Sequence, residues 1–250
     1  MNSPDIRHLK ICEQKSIPIN QDSYILDFGC GDGNRIYQLL DCGFRNSFGF
    51  NKSDYMGVEN PVNLRQRDDI GLFRFSTDGT IPFPDMYFDL VISDQVFEHV
   101  SDQELAFHEI HRVLKKGGVS IHVIPAKWQI IEQHISVPFG GLIKSYPYYY
   151  LWALLGIRHK WQKGLSAQET AAGNLKYALE CLNYLSCREY EKMMSKIPFR
   201  YSWEDLAYIK ASYKPRIRQL AAISEKVPLI PALIRLFIQR VLFLQKDQIL

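Results

Sequence analysis

The sequence predicts an α/β fold in which helices cover a mostly parallel β-sheet. Up to about residue 124, short apolar segments alternate with amphipathic helical segments, which is the pattern of a parallel sheet. The apolar segments are nearly continuous and are bounded by Gly, Asp or Pro, as expected of strands buried on both faces. The length of 250 residues is enough for one such domain with an elaboration.

Five strands and one well-defined helix are predicted in this first half. The strands lie at residues 24–28, 47–50, 72–75, 88–93 and 119–124. The helix lies at residues 101–118, where Ser101 and Glu104 can form a capping box and Gly117-Gly118 can end the last turn. Its apolar stripe at helical spacing consists of Leu105, Ile110, Val113 and Leu114.

The alternation stops after Pro125. Residues 125–165 are rich in aromatic side chains interspersed with Pro and Gly, which predicts an insertion that folds over the carboxyl edge of the sheet. Residues 167–196 are predicted to be helical, and a strand is predicted near residues 199–203. The last apolar segment divides into a helix at about 230–238 and a strand at about 239–246.

The charge of the chain is unevenly distributed. Residues 1–125 contain 12 Lys and Arg against 18 Asp and Glu, whereas residues 126–250 contain 18 against 9. The basic residues of the second half either form a solvated face or attract an anionic partner, which would be an acceptor or a membrane surface. Arg235, Gln239 and Arg240 interrupt the apolar residues 227–244, so a membrane-spanning helix is not expected there.

The cysteines and the amino terminus predict a cytoplasmic protein. The five cysteines show neither a C-x-x-C pair nor the spacing of a zinc site, which indicates a reducing compartment. The first 15 residues are polar and contain no apolar signal core. No group of residues with metal-ligand spacing is visible, so no metal ligand is predicted and metal dependence is left open.

The most informative motif is YILDFGCGDGN at residues 24–34. A glycine-rich turn between a strand and a helix lets the backbone approach a ligand, and the helix offers unpaired amides. A dinucleotide-binding fingerprint would need its third glycine at Asn34. The spacing Asp-x-Gly-x-Gly-x-Gly instead resembles the first motif of class I S-adenosylmethionine-dependent methyltransferases, of the type 11 group. This implies that S-adenosyl-L-methionine is bound by Asp27, Gly29, Cys30, Gly31 and Gly33.

Three further segments extend the resemblance over about residues 20–125, in the order usual for the family. FGFNKSD at residues 48–54 has Asn51 where the family usually has an acidic residue that binds the ribose. Asn51 lacks the charge that strengthens such hydrogen bonds, so the affinity for the cofactor is expected to fall unless Asp54 compensates. The alternative is that Asn51 is simply a turn residue at the end of the strand.

The other two segments are STDGTIPFPDMYFDLVISDQVFEHV at residues 76–100 and RVLKKGGVSIHVI at residues 112–124. The resemblance places Asp78 and Gly79 at the adenine. Ser93 ends the predicted fourth strand and Gln95 follows it, at the sheet edge where ligands bind in open α/β folds. The RVLKKGG segment resembles the family's helix, double glycine and fifth strand.

The resemblance implies a Rossmann-like, doubly wound, mostly parallel seven-stranded sheet with an antiparallel last strand and an aromatic-rich insertion after strand five. A single methyltransferase domain is expected over residues 1–250. Within it, residues 1–125 form the cofactor-binding half, residues 125–196 form the acceptor cap, and residues 197–250 complete the sheet.

The resemblance also implies in-line displacement at the sulfonium methyl group, with a base where the acceptor is a hydroxyl. His134 is the preferred base among the seven histidines, because it follows the fifth strand shortly and Glu132 can orient it. A structural hydrogen bond is the alternative role of His134. His122 is expected to be buried, and His99 is expected to pack or to orient its loop.

The acceptor is predicted to be a glycan or another small molecule. Asp94-Gln95-Val96-Phe97 differs from the Asn/Asp-Pro-Pro-Tyr/Phe signature of enzymes that methylate amino groups of nucleic acids, so nucleic acid is not the expected partner. Glu132-x-His134 followed by Pro138, and Asn183-Tyr184-Leu185 later, resemble more distantly the methyltransferases of bacterial surface-glycan pathways. That likeness implies O-methylation of a sugar, on an anionic nucleotide or a lipid carrier.

Two other functions stay open. Asn51 and the lack of a decisive base are compatible with a cofactor-binding protein that transfers no methyl group. The apolar C-terminal helix is compatible with a peripheral membrane component that docks on lipid.

Overall fold

A computed structural model describes residues 6–52, 67–227 and 229–247. Its strands form one sheet in the order β3-β2-β1-β4-β5-β7-β6. They are β1 (Ile25–Phe28), β2 (Ser47–Lys52), β3 (Phe73–Ser76), β4 (Phe88–Asp94), β5 (Leu114–Pro125), β6 (Phe199–Trp203) and β7 (Gln239–Lys246). Neighbours among β1 to β5 are parallel, and β7 is antiparallel to both β5 and β6. The predicted seven-stranded Rossmann-like sheet is confirmed.

The helices of the described residues flank this sheet and build the insertion. They are α1 (Arg7–Gln14), α2 (Asn34–Asp41), α3 (Gln103–Val113), α4 (Tyr146–Leu154), α5 (Ala167–Cys181), α6 (Cys187–Met194), α7 (Asp205–Lys210), α8 (Pro215–Lys226) and α9 (Leu229–Phe237). Short 3₁₀ helices lie at Arg67–Leu72, Phe97–His99 and Lys160–Gln162.

Each face of the sheet has its own apolar core. On one face, Phe107 and Ile110 of α3 pack with Tyr190 of α6. On the other face, Ile11 of α1 and Ile36 of α2 belong to the second core. Strands β1 and β4 contribute to both cores, which is why their sequences are continuous apolar runs rather than alternating ones.

The predicted limits of α3 are wrong at both ends. Asp102, not Ser101, caps the helix, because its carboxylate accepts a hydrogen bond from the Leu105 amide at 2.9 Å. The helix ends at Val113, and the chain enters β5 directly at Leu114, so Gly117-Gly118 lie within a strand. A Cβ on Gly118 would lie 3.1 Å from the Phe88 carbonyl oxygen, so the glycine allows a close approach of β5 to β4.

The predicted apolar stripe of α3 needs a related correction. Leu105 is 40% exposed, whereas Ala106 and Phe107 are buried. Leu105 lies on the wall of the cavity described below rather than in the core. Leu114 is buried as predicted, but as the first residue of β5.

The insertion after β5 has a small core of its own and packs on the carboxyl edge of the sheet. Its core consists of Ile135, Val137, Tyr149, Ala171, Ala178 and Leu182. The Asn183 amide donates to the Glu98 carbonyl oxygen at 2.7 Å, and Glu98 follows β4. The predicted placement over this edge is therefore confirmed.

The C-terminal segment completes the sheet as predicted. The last apolar run divides at Ile238 into α9 and β7, and β7 lies between β5 and β6. None of the helices in the described parts of the chain is long and apolar enough to cross a membrane.

Candidate functional site

The loop between β1 and α2 brings its backbone to the edge of the sheet. Gly29, Gly31 and Gly33 have φ angles of +76°, +54° and +82°, which other residues rarely adopt. A Cβ on Gly29 would come within 2.4 Å of the Val96 side chain, whereas a Cβ on Gly31 would meet no described atom within 4 Å. Gly29 therefore permits close packing, and Gly31 leaves open space on the ligand side of the loop.

Asn51 at the end of β2 holds this loop from the other side. Its Oδ1 accepts from the Gly31 amide at 3.0 Å, and its Nδ2 donates to the Gly31 carbonyl oxygen at 2.9 Å. A carboxylate could make only the first of these hydrogen bonds, because it has no donor. The asparagine thus fixes the glycine loop as well as lining the cavity. Asp54, considered above as a compensating residue, lies outside the described residues.

Arg35 in the first turn of α2 joins two carboxylates at the ends of β1 and β4. Its guanidinium donates to Asp27 Oδ1 and to Asp94 Oδ2, each at 3.2 Å. Asp27 is buried, and this burial raises its pKa to about 6, although Arg35 opposes the shift. With both carboxylates ionised, the group carries a net negative charge, which favours a cationic ligand such as an ammonium group. Sequence reasoning missed Arg35, because its partners lie on two different strands.

A cavity of about 390 Å³ opens at the carboxyl ends of the first four strands. Its size is in the range of small-molecule and cofactor sites. Of the residues predicted to bind the cofactor, six line it: Gly29, Gly31, Asn51, Asp78, Gly79 and Gln95. Asp94, Val96, His99 and Leu105 are among the other lining residues. The location matches the rule that open α/β sheets bind ligands beyond the carboxyl ends of their strands.

Four other predicted cofactor residues lie behind the cavity wall rather than on it. Asp27 binds Arg35 as described, and Gly33 is the N-cap of α2. Cys30 is buried, and its burial raises the pKa of the thiol. Ser93 is fully buried, and its hydroxyl is hydrogen-bonded to His122 Nδ1 at 2.8 Å. These residues can shape the site from behind, as supports of the loop and of the end of β4.

Asp78 forms a tight turn beyond β3. Its Oδ1 accepts hydrogen bonds from the hydroxyls of Ser76 and Thr80 at 2.6 and 2.7 Å and from the Thr80 amide at 3.0 Å. These hydrogen bonds, the one from Ser76 first, lower the pKa of Asp78 to about 2. The carboxylate stays charged at the cavity wall, and Gly79 beside it has a φ of +86°.

A second group of polar residues lies where the insertion meets the segment after β4. His134 Nδ1 donates to Glu132 Oε1 at 2.8 Å, as predicted from their spacing. Glu132 is fully buried and also accepts from the Tyr184 hydroxyl at 2.8 Å and from the amides of His134 and Ile135 at 2.7 and 3.0 Å. Glu132 is thereby fixed as a charged acceptor for His134.

The pKa values of this pair are shifted in opposite directions. Burial alone would raise the pKa of Glu132, but the hydrogen bonds and the nearby His134 hold it below its ordinary value. Burial alone would lower the pKa of His134, but the hydrogen bond and the charge of Glu132 raise it above its ordinary value. A neutral His134 with Nδ1 protonated carries its lone pair on Nε2, where it can accept a proton.

His99 connects this group with the cavity. Its ring centroid lies 4.9 Å from that of His134, and its side chain is part of the cavity wall. His99 Nδ1 donates to the Cys181 carbonyl oxygen at 2.8 Å, and burial lowers the pKa of the ring. His134 itself does not line the cavity. The expectation that His99 orients its loop agrees with the hydrogen bond to the insertion.

The methyltransferase family match lies within the first half of the chain, the half predicted to bind the cofactor. The family described as "Methyltransferase domain" matches residues 26–122. A sterol 24-C-methyltransferase of Aspergillus fumigatus is 32% identical over 104 residues, which are 40% of this chain and 27% of that protein. The sterol 24-C-methyltransferase of Schizosaccharomyces pombe is 33% identical over 103 residues, with the same coverage. The chain thus matches about a quarter of the length of these relatives.

A solved structure extends the similarity of fold to nearly the whole chain. An S-adenosylmethionine-dependent methyltransferase from Mesorhizobium loti superposes with a TM-score of 0.51 at 13% identity, over 93% of this chain and 95% of that one. At this identity the likeness concerns the fold alone. The insertion, which carries Glu132 and His134, lies outside the residues matched by the family.

Proposed function

We propose that this chain, which belongs to the class I S-adenosylmethionine-dependent methyltransferases, transfers a methyl group to a hydroxyl of a sugar or another small molecule. The observation that carries the proposal is the position of the fixed Glu132–His134 pair, which adjoins the cofactor cavity through His99. Such an arrangement supplies a proton acceptor near the ligand, and a hydroxyl needs one when it is methylated.

The residues of the cavity fit S-adenosylmethionine. Because Gly31 has no side chain, the space beside it is open to a ligand, and Asn51 holds its backbone in place by a hydrogen bond. The negative net charge around Arg35 suits the ammonium group of the amino-acid part of the cofactor, and Asp78 with Gly79 suits the adenosine part. When bound, the cofactor supplies an electrophilic methyl group on a sulfonium.

The protein positions the acceptor and removes its proton. The Nε2 lone pair of His134 is proposed to take the proton of the acceptor hydroxyl as the oxygen attacks. Glu132, held ionised by its four donors, stabilises the imidazolium that results. The carboxylate of Glu132 is fully buried, which strengthens its interaction with the imidazolium, whereas the His134 side chain is 33% exposed.

The direct test is the formation of S-adenosylhomocysteine by the purified protein with panels of sugars, nucleotide sugars and small alcohols. We expect turnover with at least one hydroxyl acceptor and a product that carries a new methyl ether. Binding of S-adenosylmethionine with no turnover on any panel would favour the alternative of a cofactor-binding protein without methyl transfer.

A second candidate function, peripheral contact with a lipid surface, is favoured by α9. None of its described side chains is buried, and Leu229, Leu233 and Leu236 are 63%, 44% and 42% exposed. Their spacing places them on one face of the helix. Burial of a leucine side chain in an apolar phase stabilises binding by about 1.5–3 kcal/mol.

We expect the double variant Leu233→Asp, Leu236→Asp to lose co-sedimentation with anionic phosphatidylserine vesicles, while the unchanged chain sediments with them. Point variants are needed because deletion from α9 onward would also remove β7 from within the sheet. Leu179→Asp is the matched control, since Leu179 is 62% exposed on α5. Equal sedimentation of all three proteins would exclude α9 as a lipid contact.

A further inference from the structure

Glu98 presents a buried carboxylate that the proposed reaction does not use. The residue is 1% exposed, and neither of its carboxylate oxygens has a hydrogen-bond partner among the described residues. An ionised carboxylate in such a place is costly unless a cation or a set of donors compensates it. Burial accordingly raises the pKa of Glu98 to about 8.

Two histidines face this carboxylate from different parts of the chain. One potential ligand atom from each of Glu98, His99 and His134 lies within 4.8 Å of one from each of the other two. His99 Nε2 is 3.9 Å from Glu98 Oε1, which is too far for a hydrogen bond. In a tetrahedral zinc site with bonds of about 2.0–2.1 Å, ligand atoms are roughly 3.3 Å apart. Small side-chain movements would therefore bring all three ligand atoms onto one ion.

The surroundings of both histidines match those of metal ligands. A histidine that binds a metal through one ring nitrogen usually donates the other N–H to a carboxylate or a backbone carbonyl group. His134 Nδ1 donates to the Glu132 carboxylate, and His99 Nδ1 donates to the Cys181 carbonyl oxygen. In both rings these hydrogen bonds make Nε2 the unprotonated nitrogen, which is the form that binds a cation.

From this arrangement we propose that Glu98, His99 and His134 form a binding site for one divalent transition-metal ion, such as Zn²⁺. Two imidazoles and one carboxylate are a donor set used by catalytic zinc sites, where a fourth position stays open for water or substrate. Magnesium and calcium prefer oxygen ligands and fit this set less well. Because His99 also lines the cavity, the site adjoins the space of the proposed cofactor and acceptor.

The metal site and the proposed base share one atom. One lone pair on His134 Nε2 holds either a proton or a metal ion, so occupancy of the site is linked to the state of the base. The metal site itself does not depend on methyl transfer, since the ion can be measured without cofactor or acceptor. Failure of one proposal therefore leaves the other open to its own test.

The test uses the full chain after treatment with a chelator. Binding of Zn²⁺ is measured by calorimetric titration, and binding of Co²⁺ is measured by the visible absorption of the bound ion. We expect one ion per chain and the absorption bands of Co²⁺ bound to nitrogen and oxygen ligands. Glu98→Gln and His99→Asn are expected to weaken binding on the order of 100-fold or more, since even outer-shell partners contribute 10–100-fold.

The variants are chosen to preserve the fold. Glutamine has the shape of Glu98, and the amide of asparagine can replace His99 Nδ1 as donor to the Cys181 carbonyl oxygen. His108→Ala is the matched control, because His108 is exposed on α3 and outside the cluster. Thermal unfolding monitored by circular dichroism identifies variants that do not fold. The proposal is overturned if the unchanged chain binds no more Zn²⁺ than Glu98→Gln, or if His108→Ala weakens binding as much.

Discussion

Replacement of His134 by asparagine is expected to lower methyl-transfer turnover by about 10²–10⁴-fold and to leave the affinity for S-adenosylmethionine unchanged. The asparagine amide can still donate to Glu132 in place of Nδ1, so the structural hydrogen bond is retained. Only the nitrogen that accepts the proton is lost. His134→Ala, which removes the hydrogen bond as well, is expected to lose at least as much turnover.

Turnover is best measured by S-adenosylhomocysteine formation in metal-free protein, so that only the role of His134 as a base is tested. His108→Ala serves again as the control on an exposed histidine. If His134→Asn turns over nearly as fast as the unchanged chain, His134 is not the base, and its role is the structural hydrogen bond to Glu132. A loss of thermal stability with His134→Ala alone would support that structural role.

Gly31→Val is expected to abolish cofactor binding in calorimetric titrations with S-adenosylmethionine and S-adenosylhomocysteine. The backbone of Gly31 lies on the cavity wall, and its Cβ direction meets no described protein atom within 4 Å. A branched side chain there occupies the space of the ligand rather than colliding with the protein. The φ of +54° adds backbone strain of about 1–2 kcal/mol.

Gly156→Val is a matched control for the strain. Gly156 has a φ of +78°, its Cβ direction also meets no described atom within 4 Å, and it follows α4 away from the cavity. We expect this variant to bind the cofactor normally even if its melting temperature falls. Equal cofactor affinity of Gly31→Val and the unchanged chain would contradict the assignment of the glycine loop to the cofactor.

Asp27→Ala is expected to give the same loss by a different route. The substitution removes one of the two carboxylates that hold Arg35 and makes the site less negative. Retained affinity in both Asp27→Ala and Gly31→Val would overturn the cofactor site as a whole.

Local sequence determined the sheet and the glycine loop. The five strands of the first half and the final helix and strand are recognisable because buried strands need continuous apolar residues, and because Asp, Gly and Pro stop them. The loop after β1 is recognisable because its backbone needs positive φ angles, which glycine adopts without strain. The C-terminal limit of α3 was harder to predict from the sequence, because Gly117-Gly118 are suited both to the end of a helix and to a close contact between strands.

Apart from the Glu132–His134 pair, which its close spacing predicted, the tertiary structure decided which polar side chains of the site meet. Arg35 reaches Asp27 and Asp94 because parallel strands end at the same edge of the sheet, although the second partner is 59 residues away in the chain. Glu98 and His99 meet His134 because the insertion folds back onto the segment after β4. Their spacing resembles no short metal motif, and the burial that leaves the Glu98 carboxylate without a partner among the described residues arises only from this packing. The sequence by itself therefore specified the cofactor-binding fold and the local Glu132–His134 pair, whereas the meeting of this pair with Glu98 and His99 was determined by long-range contacts.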